Sequence, residues 1–315
     1  MNNQASKGPF QMPDICVIAS DLQFPEGPVA GNDGTLYVCE IRGGRISRIA
    51  PDGSKTVLAH TGGGPNGLAF GPDGALYACN NGGGEYREGQ LSSIGPARDY
   101  AGGYVQRVDP ATGEFRTLYS HCGEHRLSSP NDIVFDSHGG FYFTDSGKRH
   151  ARNKDHGGLY YALADGSRIV ELAYQLGLPN GIGLSPDGKV LYVADTMTSR
   201  LIAFDLDGPG VIRPHSVLNL RGARLVCGLP GYQWFDGLAV AESGNIAVAT
   251  LITGKITVIT PTGEILRSVD VGDHYVTNIC FGGLRRRTAY ITMAASSQLG
   301  AMDWDETGLA LNHAR

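Results

Sequence analysis

From residue 15 onward the chain alternates short apolar runs with tight polar breaks. The same order returns along its length: an apolar run, a turn rich in Asp and Gly, and a second apolar run. It reads "PEGPVAGNDGTLYVCE" from residue 25, "PNGLAFGPDGALYACN" from 65 and "PNDIVFDSHGGFYFTDS" from 130. It reads "PNGIGLSPDGKVLYVADT" from 179 and "FDGLAVAESGNIAVAT" from 235, and a looser sixth copy, "VTNICFGGLRRRTAYITM", starts at 276. The runs are four to seven residues long and rich in Val, Ile, Tyr and Phe, which is strand and hairpin chemistry. No stretch sustains an apolar period of 3.6 over ten residues. Four short strands in each of six units predict an all-β, six-bladed β-propeller with four-stranded antiparallel blades. The sixth unit has only three strands, near 277–281, 288–294 and 300–304. The spare run "ICVIAS" at 15–20 is expected to pair with the last of them and close the ring, removing an exposed edge. The division expected is an N-terminal tail over 1–14, one propeller domain over 15–305 and a C-terminal tail over 306–315.

Composition narrows the partners. The 46 glycines among 315 residues suit many tight turns. A net charge of −5, with no basic cluster larger than "RRR" at 285–287, argues against nucleic acid. That triplet reads as a solvated hairpin tip. No apolar run approaches the length of a membrane span, and the first residues lack the apolar stretch of a secretory signal. The six cysteines are scattered without a C-x-x-C pair. Reduced, buried thiols in a cytoplasmic protein are the expectation.

The second letter of the repeated motif carries the chemistry. Positions 26, 66, 131, 180, 236 and 277 hold Glu, Asn, Asn, Asn, Asp and Thr. In a propeller the first strand of each blade lines the central channel, so these six side chains should ring one mouth. Three amides, two carboxylates and one hydroxyl would converge there. Two acids near one axis repel unless a cation sits between them. An all-oxygen set without thiolate or imidazole suits a hard ion: Ca²⁺ in first place, with Mg²⁺ and Mn²⁺ close behind and Fe²⁺ or Zn²⁺ less suited.

The stretches "FPEGPVA", "SSPNDIVFDSHGGFYFTDS", "LPNGIGLSPDGKVLYVADT" and "WFDGLAVAESGNIAVA" make the chain resemble the gluconolactonase, regucalcin and luciferin-regenerating-enzyme family over about residues 15–305. The resemblance implies a divalent-metal-dependent hydrolase that opens lactones, usually of the sugar type. It places the metal ligands on Glu26, Asn131, Asn180 and Asp236, with Asp236 as the base that activates water and Glu26 mainly a ligand. Asn66 then belongs to the wall. Regucalcin-like members carry Arg two places before the Asn of blade three, where this chain has Ser129. Metal as Lewis acid and a carboxylate as base are compatible with the ring, whereas no G-x-S-x-G elbow is present for a nucleophilic route.

Substrate selection is expected on mouth loops at 80–103, 145–157, 195–199 and 295–299. The candidate residues are Asn66, Asn81, Arg98, Tyr100, Ser129, His150 and Asp195, and the long 80–103 segment could form a lid. "HCGEH" at 121–125 contains Gly and precedes a Pro-bounded strand, so it reads as a loop rather than a helical zinc site. Two other readings use the same architecture: a phosphotriester hydrolase on the same metal, and a non-catalytic propeller that binds a protein or ligand. The small-molecule lactone remains the expected partner, with no nucleic acid and no membrane.

Overall fold

The computed structural model describes residues 15–215 and 221–314, and the expected tail over 1–14 lies outside the described residues. Six antiparallel sheets follow one another as the blades of a propeller. Blade one shows the plan, with strands Pro25–Ala30, Leu36–Glu40, Arg45–Ile49 and Lys55–Ala59 in order from the channel outward. The first strands of the other blades are Pro65–Phe70, Pro130–Phe135, Pro179–Leu184, Trp234–Val240 and Val276–Gly282. Inner strands are covered on both faces, which explains their nearly unbroken apolar runs. The outermost strand of blade one exposes three consecutive residues.

Asp-Gly turns make the hairpin between first and second strands in blades one, two and four, and His138-Gly139 and Ser243-Gly244 take that place in blades three and five. In blade two Gly74 takes φ +77°, where an L side chain is strained, and the Asp73 carboxylate accepts the Ala75 N–H. Between blades, apolar faces interlock. Ala247, Ile256 and Val258 of blade five meet Ile279, Ile291 and Met293 of blade six in one buried cluster.

Ring closure follows the expected route. Cys16–Ala19 pairs antiparallel with Gln298–Asp303, in the register Cys16 to Ala301 and Val17 to Gly300. Blade four departs from the plan. Its third strand, Arg200–Gly208, pairs along its outer edge with both Val211–Arg213 and Arg224–Gly228. The segment from 306 is no free tail: Gly308 bridges Ala241, Leu309 N–H donates to the Val240 carbonyl, and the Asn312 amide donates to the Phe135 carbonyl. It lies against the end of the channel opposite the ring positions. The triplet at 285–287 is also more engaged than a solvated tip. Arg286 binds Glu242 and the Gly308 carbonyl, and Arg287 binds the Trp304 carbonyl. All six cysteines are unpaired, four of them buried. Among the described residues no helix is long and apolar enough to cross a membrane.

Candidate metal centre at the channel mouth

Blades one to four deliver their ring residues by the same device, which blades five and six lack because their second strands end on Leu251 and Met293. The last residue of the second strand turns its side chain toward the segment entering the first strand and accepts backbone N–H groups there. Glu40 accepts from Gln23, Asn80 from Gly64, Asp145 from Ser128 and Ser129, and Asp195 from Leu178. The entering segment is thereby fixed, and the residue after its Pro points toward the axis, as does the residue after Phe235 in blade five.

Glu26, Asn66, Asn180 and Asp236 are buried and Asn131 is partly so. Glu26 Oε2 accepts from its own neighbour Gly27 N at 2.8 Å and from Asn278 Nδ2 at 3.0 Å. Asn180 Nδ2 donates to Thr196 Oγ1 at 3.1 Å. Asn66 Oδ1 and Asn131 Oδ1 are buried with no hydrogen-bond partner. An unsatisfied buried oxygen costs about 1–3 kcal/mol, so two at one mouth mark a place for a donor or a cation. Burial raises the Glu26 carboxyl far above the usual range; the Asn278 bond opposes this and the Asp132 charge adds to it. Asp236 is raised by burial and then by the Glu26 charge, against a hydrogen bond from Asn180. Two carboxyls that resist ionisation together, beside two orphaned amide oxygens, fit a divalent ion in the ring.

Thr277 does not join them. Its hydroxyl donates to the Pro25 carbonyl at 2.8 Å and also meets Thr292, so it stitches blade six to blade one. Blade six contributes through the next residue instead. The third letter of the motif is Gly at 27, 67, 181 and 237, and a Cβ at any of these would strike the neighbouring inner strand. The exceptions are Asp132 and Asn278. The Asp132 side chain fills the space a Cβ on Gly67 would need, and Asn278 fills that of Gly237. Burial raises the Asp132 carboxyl to about 7, with bonds from Ile133, Ile182 and Asn278 opposing. The sequence reading missed both residues, although their departure from Gly in an otherwise fixed frame was the available signal. Among the described residues no three His, Cys, Asp or Glu side chains form a metal cluster of their own; the donors here are two acids and amides.

The remaining candidates divide. Asp195 is buried and capped by Leu178 and Thr198 N–H groups, which gives it a structural task. The Asn81 side-chain oxygen accepts the Gly83 N–H, and Ser129 is held by Asp145. Tyr100 donates to the Ser128 carbonyl at 2.7 Å, His150 faces Asp155 at 3.3 Å, and Arg98 is exposed. Lys148, not anticipated, is buried there: its ammonium lies 2.6 Å from the Asn81 carbonyl oxygen and 4.7 Å over the Tyr100 ring. Burial pushes it down to about 8 against the opposing charges of Asp145 and Asp155. "HCGEH" forms a small hairpin in which His121 pairs with Arg126 and Cys122 with His125. A cavity of about 590 Å³ lies on the other side of the ring, walled by Leu68, Ile133, Ile182 and Leu238 and floored by 309–314. Asp132 and Asn278 reach it and the four expected ligands do not.

A six-bladed propeller with acids and amides gathered at one mouth defines the class to which this molecule belongs. Within that class, the chain belongs to the SMP-30/Gluconolactonase/LRE-like family, whose model matches residues 24–295. It is 31% identical over 246 residues to lactonase drp35 of Staphylococcus haemolyticus, covering 76% of this chain and 69% of that one. It is 27% identical to a gluconolactonase of Zymomonas mobilis, covering 85% and 76%. Regucalcin of Agrobacterium tumefaciens, described as a calcium-binding protein, shares the fold with a TM-score of 0.75 at 18% identity, over 96% of this chain and 98% of that one.

Proposed function

We propose that this protein is a divalent-metal-dependent lactonase. The observation that carries the reading is the mouth itself: buried Glu26 and Asp236 beside the partnerless oxygens of Asn66 and Asn131. Membership of a family whose named members include lactonases supports it. Glu26, Asn131, Asn180 and Asp236 would hold the ion, and Asn66, expected as wall, offers its oxygen in the same condition as Asn131. When bound, the ion supplies charge neutralisation for the two acids and polarisation of the substrate carbonyl. Ca²⁺ matches the donor set best.

The residues divide the remaining work. A carboxylate oxygen of Asp236 takes one proton from the attacking water, whose oxygen adds to the carbonyl carbon. The ring C–O bond then breaks, and the proton passes to the departing alkoxide to give the hydroxy acid. Asn278 holds Glu26 by its amide, so Glu26 serves as ligand while Asp236 moves the proton.

Dialysis followed by elemental analysis should find one divalent ion per chain. Initial rates on a panel of lactones, with a phosphotriester arm, should show lactone opening that chelation abolishes. Asp236→Asn should lower kcat by roughly 10²–10⁴-fold without rescue by excess metal. Glu26→Gln should be rescued in part. Rescue of the first and not the second reverses the roles; phosphotriester turnover without lactone turnover replaces the reading.

A further inference from the structure

The mouth is not evenly built. The long insertion after the second strand of blade two spreads to three other blades. Its Tyr86 ring lies 4.8 Å from the Arg42 guanidinium of blade one, its Ser92 hydroxyl meets the Tyr275 hydroxyl at the entrance to blade six, and its Tyr100 binds blade three. On this roofed side the polar groups are spent on the protein: Lys148 on Asn81, Arg42 on Tyr86, His150 on Asp155.

Blades four and five receive none of these ties, and there the rim exposes large apolar side chains. Met197 is 62% exposed and Tyr232 71% exposed. Both sit at the ring end of their blades. Met197 directly follows Thr196, which accepts from the ring residue Asn180. Tyr232 packs edge-on to Trp234 at 5.3 Å, and Trp234 stands two residues ahead of Asp236. The two segments lie side by side, since Ser199 donates to the Gln233 carbonyl and Leu229 N–H to the Ser199 carbonyl. A large thioether and two aromatic rings bordering a reaction centre form a surface that water covers at a cost, and an alkyl or aryl group relieves it.

We propose that the substrates are lactones bearing an apolar side chain, with the lactone ring at the acid–amide ring and the side chain laid over Met197, Tyr232 and Trp234. The proposal rests on the lactonase reading and narrows it. A polyhydroxylated sugar lactone would find few free partners on the roofed side, and on this strip only the Tyr232 hydroxyl, the Trp234 N–H and the neighbouring Thr198 hydroxyl beside a largely apolar surface. The occupant is a substituent of the substrate because the strip adjoins the ring along the chain, Met197 next to the partner of Asn180 and Trp234 two residues from Asp236.

The test uses the full-length protein loaded with Ca²⁺ and a series of γ-lactones with no, methyl, butyl and hexyl substituents, alongside an aldonolactone. We expect kcat/KM to rise roughly two- to fourfold per methylene and the aldonolactone to fall below the hexyl lactone. In Met197→Ser/Tyr232→Ser the rise with chain length should vanish. Matching γ-alkyl lactams, which the enzyme does not open readily, supply a binding readout through Trp234 fluorescence, with Trp234→Phe as control. Tail-dependent lactam binding without opening of any lactone sinks the lactonase reading and keeps the apolar strip. Lactone opening with flat dependence on tail length, or a rise that survives the double substitution, overturns the strip. So does a wild-type dimer in sedimentation that the double substitution dissociates, with no tail dependence in either form.

Discussion

Asn278 does two jobs with one amide: it donates to Glu26 and faces Asp132, two carboxyls that would otherwise confront each other. Asn278→Leu keeps the volume and removes the donor. It should weaken divalent affinity about tenfold and cost about 1–3 kcal/mol of stability, read by calorimetric titration and urea unfolding. Lys148 offers a pH signature. Its pKa is about 8 when folded and near the ordinary 10.5 when unfolded. Between those values the unfolded chain holds a proton that the folded chain has released, so stability rises with pH across that window, by on the order of 2 kcal/mol. Below pH 8 both forms are charged and the penalty of burying the charge is constant. In urea unfolding at pH 8 and 10.5, Lys148→Met should remove this part of the slope. The second letter of the motif was legible as chemistry because acids replaced Asn in a fixed frame. Thr277 misled, since a hydroxyl at that place can bond sideways to Pro25 as easily as inward. Asp132 and Asn278 departed visibly from Gly, but that each fills a glycine's space at the ring shows only once the strand beside it is known.

Strands and turns were the most legible level, because alternating runs and Asp-Gly turns are local and each hairpin is decided by its own residues. Blade four's divided outer edge was not, since two strands sharing one partner depend on packing beyond the hairpin. Two changes probe this level. Gly27→Ala places a Cβ against the Asn66 carbonyl in a backbone at φ +49°, and should cost about 2–4 kcal/mol while also disturbing Glu26. Removing residues 1–20 takes away the fourth strand of blade six and uncovers the edge of Gln298–Asp303. The thermal midpoint should fall by about 2–4 °C for each kcal/mol lost, and light scattering should show association through the open edge.

At the scale of the molecule the two ends of the channel have different tasks. The mouth gathers the acids and amides, and the far end is occupied by the chain's last residues, where Gly308, Leu309 and Asn312 hold to the inner hairpins of blades five and three. Truncation after Asp305 should therefore lower stability, by about 1–3 kcal/mol for the bonds removed, and leave turnover per folded molecule intact, as unfolding and active-site titration would show together. Ring closure has its own consequence for how the protein is made. Glu26 and Asn278 are separated by 252 residues, as are Pro25 and Thr277. At a synthesis rate of roughly 5–20 residues per second, Glu26 leaves the ribosome well before the amide that will hold it has been translated. Through that interval the N-terminal strand waits without its partner. Glu26 is held in place only when the sixth blade reaches back to the first, so a chain cut short before Asn278 has every ring acid translated and no closed ring to hold them.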